Sequence, residues 1–210
     1  MSHDSNNIMV ILSSPSGAGK TTISKKIQQK YQNFKISVSH TTRKPRSNEI
    51  EGIDYYFIKE NDFKNKIKNN EFYEYAKIFG NYYGTSKKTV NELIKKNDII
   101  FDIDWQGTQQ LSDNENAKKD LVSVFVLPPN TKELENRLQT RAQDLESVVR
   151  QRMDKATDEM SHYREYKYVI VNDNIEKSVQ YVENILVAER VRIERQTGLH
   201  EFVQNLRNTN

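Results

Sequence analysis

The chain has 210 residues, 35% of them hydrophobic and 29% charged, and its 32 Lys and Arg against 29 Asp and Glu leave a net charge of +3. This balance gives no electrostatic argument for a nucleic-acid or membrane partner. The absence of cysteine excludes disulfides and thiolate metal sites. No signal peptide is visible, and no apolar run approaches the roughly 18 residues that a membrane helix needs. We expect a cytoplasmic protein of one or two domains.

The first predicted elements form a phosphate-binding loop. Residues 8–12 are consecutive apolar residues, which predict a buried strand, and a loop of small residues then leads into a helix near Lys20. Glycines let the backbone approach a phosphate closely, and the helix N-terminus adds a positive dipole. The motif G-x-x-x-x-G-K-[ST] has Ser14 in place of its first glycine. We interpret this as a tolerated variant, because Pro15 favours an extended Ser14. The alternative is an ordinary strand-to-helix turn.

In such a loop the lysine contacts the β- and γ-phosphates, and the hydroxyl that follows helps to hold Mg²⁺. These roles fall on Lys20 and Thr21. The residues predicted to bind ATP here are Ser14, Pro15, Ser16, Gly17, Ala18, Gly19, Lys20, Thr21 and Thr22.

Helices and buried strands alternate along most of the chain. The predicted helices cover residues 23–31, 90–96, 131–141 and 176–195, with Thr131 as the cap of the third. The predicted strands cover residues 34–38, 99–103, 121–127 and 168–171. This alternation predicts an α/β fold with a parallel, doubly wound sheet and ligands at the carboxyl ends of its strands.

Two stretches depart from this alternation. Residues 39–86 have the pattern of a small sheet-rich insertion, with a strand at 54–58, a short helix capped by Asp62 and a hairpin turn at 79–81. Residues 144–164 are highly charged and helical, with little apolar surface to bury, and the polar tail from Thr197 is expected to fray.

The insertion begins with two arginines three residues apart, Arg43 and Arg46. Two guanidinium groups can grip a monophosphate in bidentate fashion, and Tyr55 and Tyr83 can each donate a phenolic hydrogen bond to it. The alternative is a solvated basic loop and two core tyrosines. The phosphate loop elsewhere in the chain favours an acceptor site.

Glu74 lies in the otherwise apolar and aromatic run FYEYAKIF. A carboxylate can accept hydrogen bonds from both N1–H and N2–H₂ of guanine, and adenine lacks that pair of donors. Glu74 is therefore a candidate for selecting guanine. The alternative is that it occupies the outward face of an alternating strand.

Asp102 and Asp104 end a predicted buried strand, and their side chains point to the same side. Carboxylates at a strand end beside a phosphate loop usually orient Mg²⁺ and its waters. Asp102, together with Thr21, is the predicted metal site, and helix capping by Asp104 is the alternative.

Arg137 and Arg141 are four residues apart on one predicted helix and share a face, and Arg152 follows eleven residues later. The charged stretch around them, poor in core residues, is typical of a mobile lid. The alternative is that all three are solvated surface arginines.

Taken in order, the chain closely resembles guanylate kinase over residues 8–190, nearly its whole length. The motifs that carry the resemblance are the phosphate loop, VSHTTRKPR (38–46), GIDY (52–55), EYA (74–76), GNYYGT (80–85), FDIDWQG (101–107), RLQTR (137–141) and IVND (170–173). The resemblance implies an ATP:GMP phosphotransferase of purine nucleotide metabolism that uses Mg²⁺ and transfers the phosphoryl group directly in line.

The resemblance also assigns residues. GMP would be bound through its phosphate by Arg43, Arg46, Tyr55 and Tyr83, through its base by Ser39, Glu74 and Thr85, and beside Asp104. Asn172 falls in a motif near adenine. The residues implied to be catalytic are Lys20, Arg43, Asp104, Arg137, Arg141 and Arg152.

Three parts are then predicted: a P-loop core (8–38, 87–136 and 165–205), a GMP-binding subdomain (39–86) and a lid (137–164). Two other functions stay open at this point. One is a catalytically inactive guanylate-kinase-like interaction module, although such modules often lose the lysine or arginines that this chain retains. The other is a P-loop kinase for a different acceptor, such as AMP or a sugar phosphate. The substrates ATP and GMP are the predicted partners, and the protein is a monomer or a homo-oligomer.

Overall fold

Two separate sheets organise the protein in the computed structural model, which describes residues 7–118, 120–142 and 146–208. The strands are β1 (Met9–Ser13), β2 (Phe34–Ile36), β3 (His40–Thr41), β4 (Tyr56–Phe57), β5 (Phe72–Ile78), β6 (Asn81–Ser86), β7 (Asp98–Asp102), β8 (Leu121–Leu127) and β9 (Tyr168–Val171). The helices are α1 (Lys20–Lys30), α2 (Glu60–Lys68), α3 (Lys87–Leu93), α4 (Trp105–Asp113), α5 (Glu115–Lys118), α6 (Thr131–Ala142), α7 (Glu146–Met160), α8 (Ile175–Arg190) and α9 (Leu199–Arg207). Short 3₁₀ segments cover Ser161–Glu165 and Ile193–Arg195.

The larger sheet has the strand order β2-β7-β1-β8-β9, and every neighbouring pair in it is parallel. β1 lies at its centre and is buried along its whole length, as are most residues of β7 and β8. These are the strands whose sequences are continuous apolar runs, which suit a sheet covered on both faces. The predicted parallel sheet is confirmed.

Helices cover both faces of this sheet, so it is doubly wound. Val10 and Leu12 of β1 belong to a core cluster with residues of α1 and α8. Met9 and Ile11, which point the other way, belong to a second cluster with residues of α3 and α4. Alternate side chains of β1 therefore pack into the cores on the two faces of the sheet. The carboxyl end of β1 lies at the edge of the sheet where the phosphate loop begins.

The smaller sheet has the order β4-β3-β6-β5, and all its strands fall within the predicted insertion 39–86. β5 and β6 form the predicted hairpin, and Phe79 and Gly80 make its turn with φ values of 46° and 79°. Asn81 was predicted to lie in the turn, but it begins β6. The buried ring of Phe63 on α2 stacks on Phe72 and Tyr82, which attaches the helix to the hairpin.

Two predicted helix caps are wrong. α2 begins at Glu60 after Lys59, so Asp62 lies inside its first turn and acts on the helix dipole rather than as the cap. α6 begins at Thr131, but the capping side chain is that of Asn130, whose Oδ1 accepts from Glu133 N at 2.8 Å. In both cases the cap lies earlier than the residue that the sequence pattern indicated.

The last third of the chain also differs from expectation. The predicted helix 176–195 ends at Arg190, and the tail expected to fray contains α9, which follows Gly198 at φ 77°. The charged region, expected to have little apolar surface to bury, packs against α6 in a small core formed by Leu134, Leu138, Val149 and Ala156. In the ranges that the structure describes, every helix is too short or too polar to cross a membrane.

Candidate active site

The phosphate loop connects β1 to α1 and depends on two glycines. Gly17 and Gly19 have φ values of 89° and 104°, a region that side chains rarely tolerate. A Cβ on Gly19 would lie 2.3 Å from Asn172 Nδ2, so space as well as conformation requires glycine there. Ser14 is not among the residues with positive φ, which explains why a serine can replace the first glycine of the motif.

Lys20 reaches from the start of α1 to the end of β7. Its Nζ lies 2.6 Å from Asp102 Oδ1 and donates to the carbonyl oxygen of Ile103 at 2.9 Å. β1 and β7 are neighbours in the sheet, with Leu12 opposite Asp102, so the two carboxyl ends bring these groups together. Asp102, a predicted metal ligand, is the ion-pair partner of the lysine in this structure.

Asp104 has two oxygens with different surroundings. Oδ1 caps α4 by accepting from Gly107 N at 2.9 Å, so the capping alternative is confirmed. Oδ2 is buried and has no hydrogen-bond partner among the described residues. A buried carboxylate oxygen without a partner is costly unless a ligand supplies one. Capping and ligand binding are therefore compatible at this residue.

Glu74 points into the protein, and the alternative of an outward strand position is wrong. Glu74 is only 3% exposed, and its Oε1 accepts a hydrogen bond from Thr85 Oγ1 at 2.5 Å across the β5–β6 pair. Ser39 Oγ lies 3.4 Å from the same threonine hydroxyl. The pKa of Glu74 is raised to about 7, chiefly by burial and also by the charge of Asp104, while Thr85 and Lys20 act in the opposite direction.

Gly107 makes room for this carboxylate, a role that the sequence analysis does not assign to it. It lies in α4, which packs beside β5, and a Cβ there would come within 2.6 Å of Glu74 Oε2. A glycine inside a helix costs about 1 kcal/mol relative to alanine, so a glycine within a predicted helix is itself an indication that its small size has a packing role.

Arg43 is held by a second residue that sequence reasoning missed, Glu49. Arg43 Nη2 donates to Glu49 Oε1 at 2.7 Å, and Arg46 N donates to Oε2 at 2.8 Å. Burial alone would raise the pKa of Glu49, but these hydrogen bonds and the two arginine charges outweigh it and lower the pKa. The Arg46 side chain is 69% exposed, so Glu49 fixes the first arginine firmly and the second mainly through its backbone.

The two predicted tyrosines lie beside Arg43. The rings of Tyr55 and Tyr83 are 5.9 Å apart in an edge arrangement, and the Arg43 guanidinium lies 5.4 Å from the centroid of Tyr55. Burial, and then the charge of Asp102, raise the pKa of Tyr55 to about 12. This phenol therefore keeps its proton and remains a hydrogen-bond donor.

Asn172 and Arg137 both support the phosphate loop. Asn172 Nδ2 donates to Ala18 O at 2.8 Å, and its Oδ1 accepts from Ser178 Oγ at 2.9 Å. Arg137 Nη1 and Nη2 reach the carbonyl oxygens of Ala18 and Asn172, each at 3.3 Å. The amide of Asn172 is thus occupied within the protein.

The other predicted site residues have simpler positions. Thr21 and Thr22 lie in the first turn of α1. Ala18 and Pro15 are buried, whereas Ser16 is exposed. Arg152 lies on α7 and is partly buried, and the side chain of Arg141 lies outside the described residues.

These groups form one site around the carboxyl end of the parallel sheet. Lys20 and Asp104 act on the pKa of Glu74, and Asp102 acts on that of Tyr55, so the phosphate loop and the smaller sheet are within electrostatic reach. A phosphate loop on a parallel sheet, together with an arginine and two tyrosines of an inserted sheet-rich segment, defines the class of P-loop kinases.

Comparison with known proteins identifies the family. A sequence model described as guanylate kinase matches residues 6–189. The chain is 52% identical to the guanylate kinase of Paramagnetospirillum magneticum over 95% of this chain and 93% of that relative. It is 49% identical to that of Rhodopseudomonas palustris over 95% and 90%. A crystal structure of guanylate kinase from Anaplasma phagocytophilum matches with a TM-score of 0.79 and 36% identity over 94% of each chain. The chain belongs to the guanylate kinase family.

Proposed function

We propose that this protein transfers the γ-phosphoryl group of ATP directly to GMP, giving ADP and GDP in purine nucleotide metabolism. The observation that carries the proposal is the buried Glu74 with its hydroxyl partners, lying within electrostatic reach of a phosphate-loop lysine. A base-reading carboxylate and a triphosphate-binding loop in one site are what a guanine nucleotide kinase requires. Membership of the family supports the same activity.

On the acceptor side, Arg43 and Arg46 with Tyr55 and Tyr83 would bind the phosphate of GMP. Arg43 is already oriented by Glu49, so less side-chain freedom is lost on binding. Glu74 would accept from N1–H and N2–H₂ of guanine, with the hydroxyls of Thr85 and Ser39 beside it. The neutral state of Glu74 that burial favours would give way to the carboxylate when these donors arrive.

On the donor side, the backbone N–H groups of the phosphate loop and the Lys20 charge would hold the phosphates of ATP. Arg137 lies against the loop and would reach the phosphates by a small movement, with Arg141 and Arg152 as further cations. The geometry of Asn172 favours support of the loop over direct contact with adenine.

The residues present fit a Mg²⁺ ion that arrives with ATP. Magnesium is usually held by one or two carboxylates together with substrate phosphates and waters. Among the described residues no group of three acidic or histidine side chains is placed to hold a metal ion by itself. Asp104 Oδ2, however, is buried without a partner, and Asp102 lies nearby with Thr21 at the start of α1. Bound there, the ion would neutralise charge on the transferring phosphoryl group.

An acceptor panel tests the proposal. ATP is offered with GMP, AMP, CMP or UMP, and ADP formation is followed by a coupled assay. We expect activity with GMP at least 100-fold above the others, since a wrong base leaves the Glu74 charge unpaired, a penalty of about 3 kcal/mol or more. Preference for another monophosphate would favour a P-loop kinase for a different acceptor, and inactivity with all four would favour an interaction module.

The cytoplasm, where both substrates are found, is the proposed location.

A further inference from the structure

One carboxylate of the site has no role in the preceding account. Glu159 lies near the end of α7, and its Oε2 accepts from the backbone N–H of Ser16 at 3.1 Å, across 143 residues of sequence. The residue is only 7% exposed. Backbone N–H groups of a phosphate loop are normally directed at phosphate, so a protein carboxylate on one of them calls for an explanation.

The surroundings of Glu159 place it at the meeting point of three parts of the molecule. Its Oε1 lies 3.7 Å from Lys155 Nζ, one turn earlier on α7. The same ammonium lies 4.3 Å from the centroid of Phe79, at the tip of the β5–β6 hairpin. Lys20 and Asp104 are close enough to act on its pKa. Glu159 is therefore connected to the loop directly and to the acceptor sheet through Lys155.

A purely stabilising role accounts poorly for this carboxylate. Burying an ionised group costs free energy unless it is well paired, and one backbone hydrogen bond with a lysine 3.7 Å away is modest compensation. What the contact does achieve is geometric. It ties the third residue of the loop, just before Gly17, to a helix of the predicted lid.

We propose that Glu159 is a positioning residue, which fixes the phosphate loop through the Ser16 N–H when α7 lies over the loop. The inference rests on the proposed binding of ATP phosphates by this loop. Donors that are already aligned before reaction stabilise a transition state more than donors that must be ordered. Loss of the contact should therefore lower kcat, while KM for GMP, which binds on the other sheet, should change little.

The test compares variants that differ in hydrogen-bond acceptance. Glu159→Gln keeps an acceptor oxygen, Glu159→Met keeps a similar length without one, and Glu159→Ala removes the side chain. Asp158→Ala is the matched control, since Asp158 is the exposed neighbour of the buried Glu159 on the same helix. We expect Glu159→Met and Glu159→Ala to lower kcat about 10- to 30-fold, the size of one hydrogen bond to a charged group, and Glu159→Gln to stay within about threefold of wild type.

Two further measurements separate the possible failures. Thermal unfolding reports whether each variant is folded. If Glu159→Ala does not fold, the comparison of kcat between Glu159→Gln and Glu159→Met tests the positioning role. Equal kcat for Glu159→Gln and Glu159→Met, or a rise in KM for GMP as large as the fall in kcat, would overturn the positioning role. Lys20→Ala, assayed in parallel, tests the phosphate site itself. If that variant is inactive while Glu159→Met behaves like Asp158→Ala, the proposal about Glu159 is wrong and the proposed function stands.

Discussion

The two halves of the site are built in different ways. The loop half, residues 13–22 with Asp102, comes almost entirely from one strand-to-helix connection. The acceptor half gathers Ser39, Arg43, Glu49, Tyr55, Glu74, Tyr83 and Thr85 from strands and loops of the smaller sheet. Local backbone conformation shapes the first half, whereas side-chain partners that are distant in sequence shape the second.

This difference separates chemistry from recognition. The loop half presents backbone donors and a lysine that can follow the transferred group, so changes there should act on kcat. The acceptor half holds the groups that we propose recognise GMP before any bond changes, so changes there should act on KM for GMP or on the choice of base. The following predictions test that separation.

Lys20→Ala should have the largest effect. Its Nζ is held 2.6 Å from Asp102, and loss of this charge removes stabilisation of the transferring phosphoryl group. We expect kcat to fall about 10³-fold with KM for GMP nearly unchanged, measured by steady-state kinetics. Lys26→Ala is the control: Lys26 lies on the same helix as Lys20, and its loss breaks only an exposed ion pair with Glu176 of α8, so the variant should be neutral. A well-folded Lys20→Ala protein with wild-type kcat would remove the phosphate-site assignment.

Glu74→Gln should have the next largest effect, on specificity. The amide either faces a guanine donor with its own N–H or forfeits one of two hydrogen bonds, so kcat/KM for GMP should fall about 10²-fold. Activity with IMP or AMP, which lack the N2 amino group, should fall less. Thermal stability near neutral pH should hardly change, because burial already disfavours the charge.

The comparison that decides this prediction is GMP against IMP and AMP, on wild type and Glu74→Gln. Equal losses on all three would show that Glu74 does not read the base. Glu71→Gln, which changes a carboxylate paired with Lys66 just before β5, serves as the control.

The pH dependence of GMP binding should follow from the raised pKa of Glu74. In the free protein this pKa is about 7 against an ordinary value of 4.5. The Glu74 side chain therefore contributes most to the free energy of unfolding when it is protonated, and this contribution declines as pH rises from about 4.5 to about 7. In the proposed site GMP binds the carboxylate form of Glu74, so KM for GMP should rise about tenfold between pH 8 and pH 6. The phosphate of GMP also titrates near pH 6 and contributes to the pH dependence of KM. Glu74→Gln is the control for this contribution, because the part of the pH dependence that comes from Glu74 should vanish in that variant and the part that comes from GMP should remain.

Glu49→Gln should have the smallest effect, on the acceptor half alone. Arg43 keeps its carbonyl contact with Lys44 but loses its carboxylate partner, so the guanidinium is less well ordered before GMP binds. We expect KM for GMP to rise about 5-fold, roughly 1 kcal/mol, with kcat within twofold. Glu60→Gln, in an exposed pair with Lys64 on α2, is the matched control. A fall in kcat larger than the rise in KM would break the separation between the two halves.

Much of the fold was determined by the sequence alone. The apolar runs 121–127 and 168–171 predict strands with the same bounds as β8 and β9, because continuous apolar segments of strand length are compatible with few other structures. The phosphate loop was equally readable, since its glycines, lysine and threonine are consecutive and act through local backbone geometry. The helix-cap positions could not be predicted in this way, because several polar residues near each helix start could act as the cap, as Asn130 and Thr131 illustrate.

The tertiary structure alone decided how the acceptor half works. Strand alternation put Glu74 on one of two faces, but only packing against α4 showed that this face is buried, and only there does Gly107 acquire its purpose. The roles of Glu49 and Glu159 could not be predicted from the sequence either, because they too depend on tertiary packing. An acidic residue in a charged stretch looks like any solvated side chain until the fold brings Arg43 or the Ser16 N–H to it. Partners distant in sequence leave no periodic trace, because the distance that matters exists only after folding.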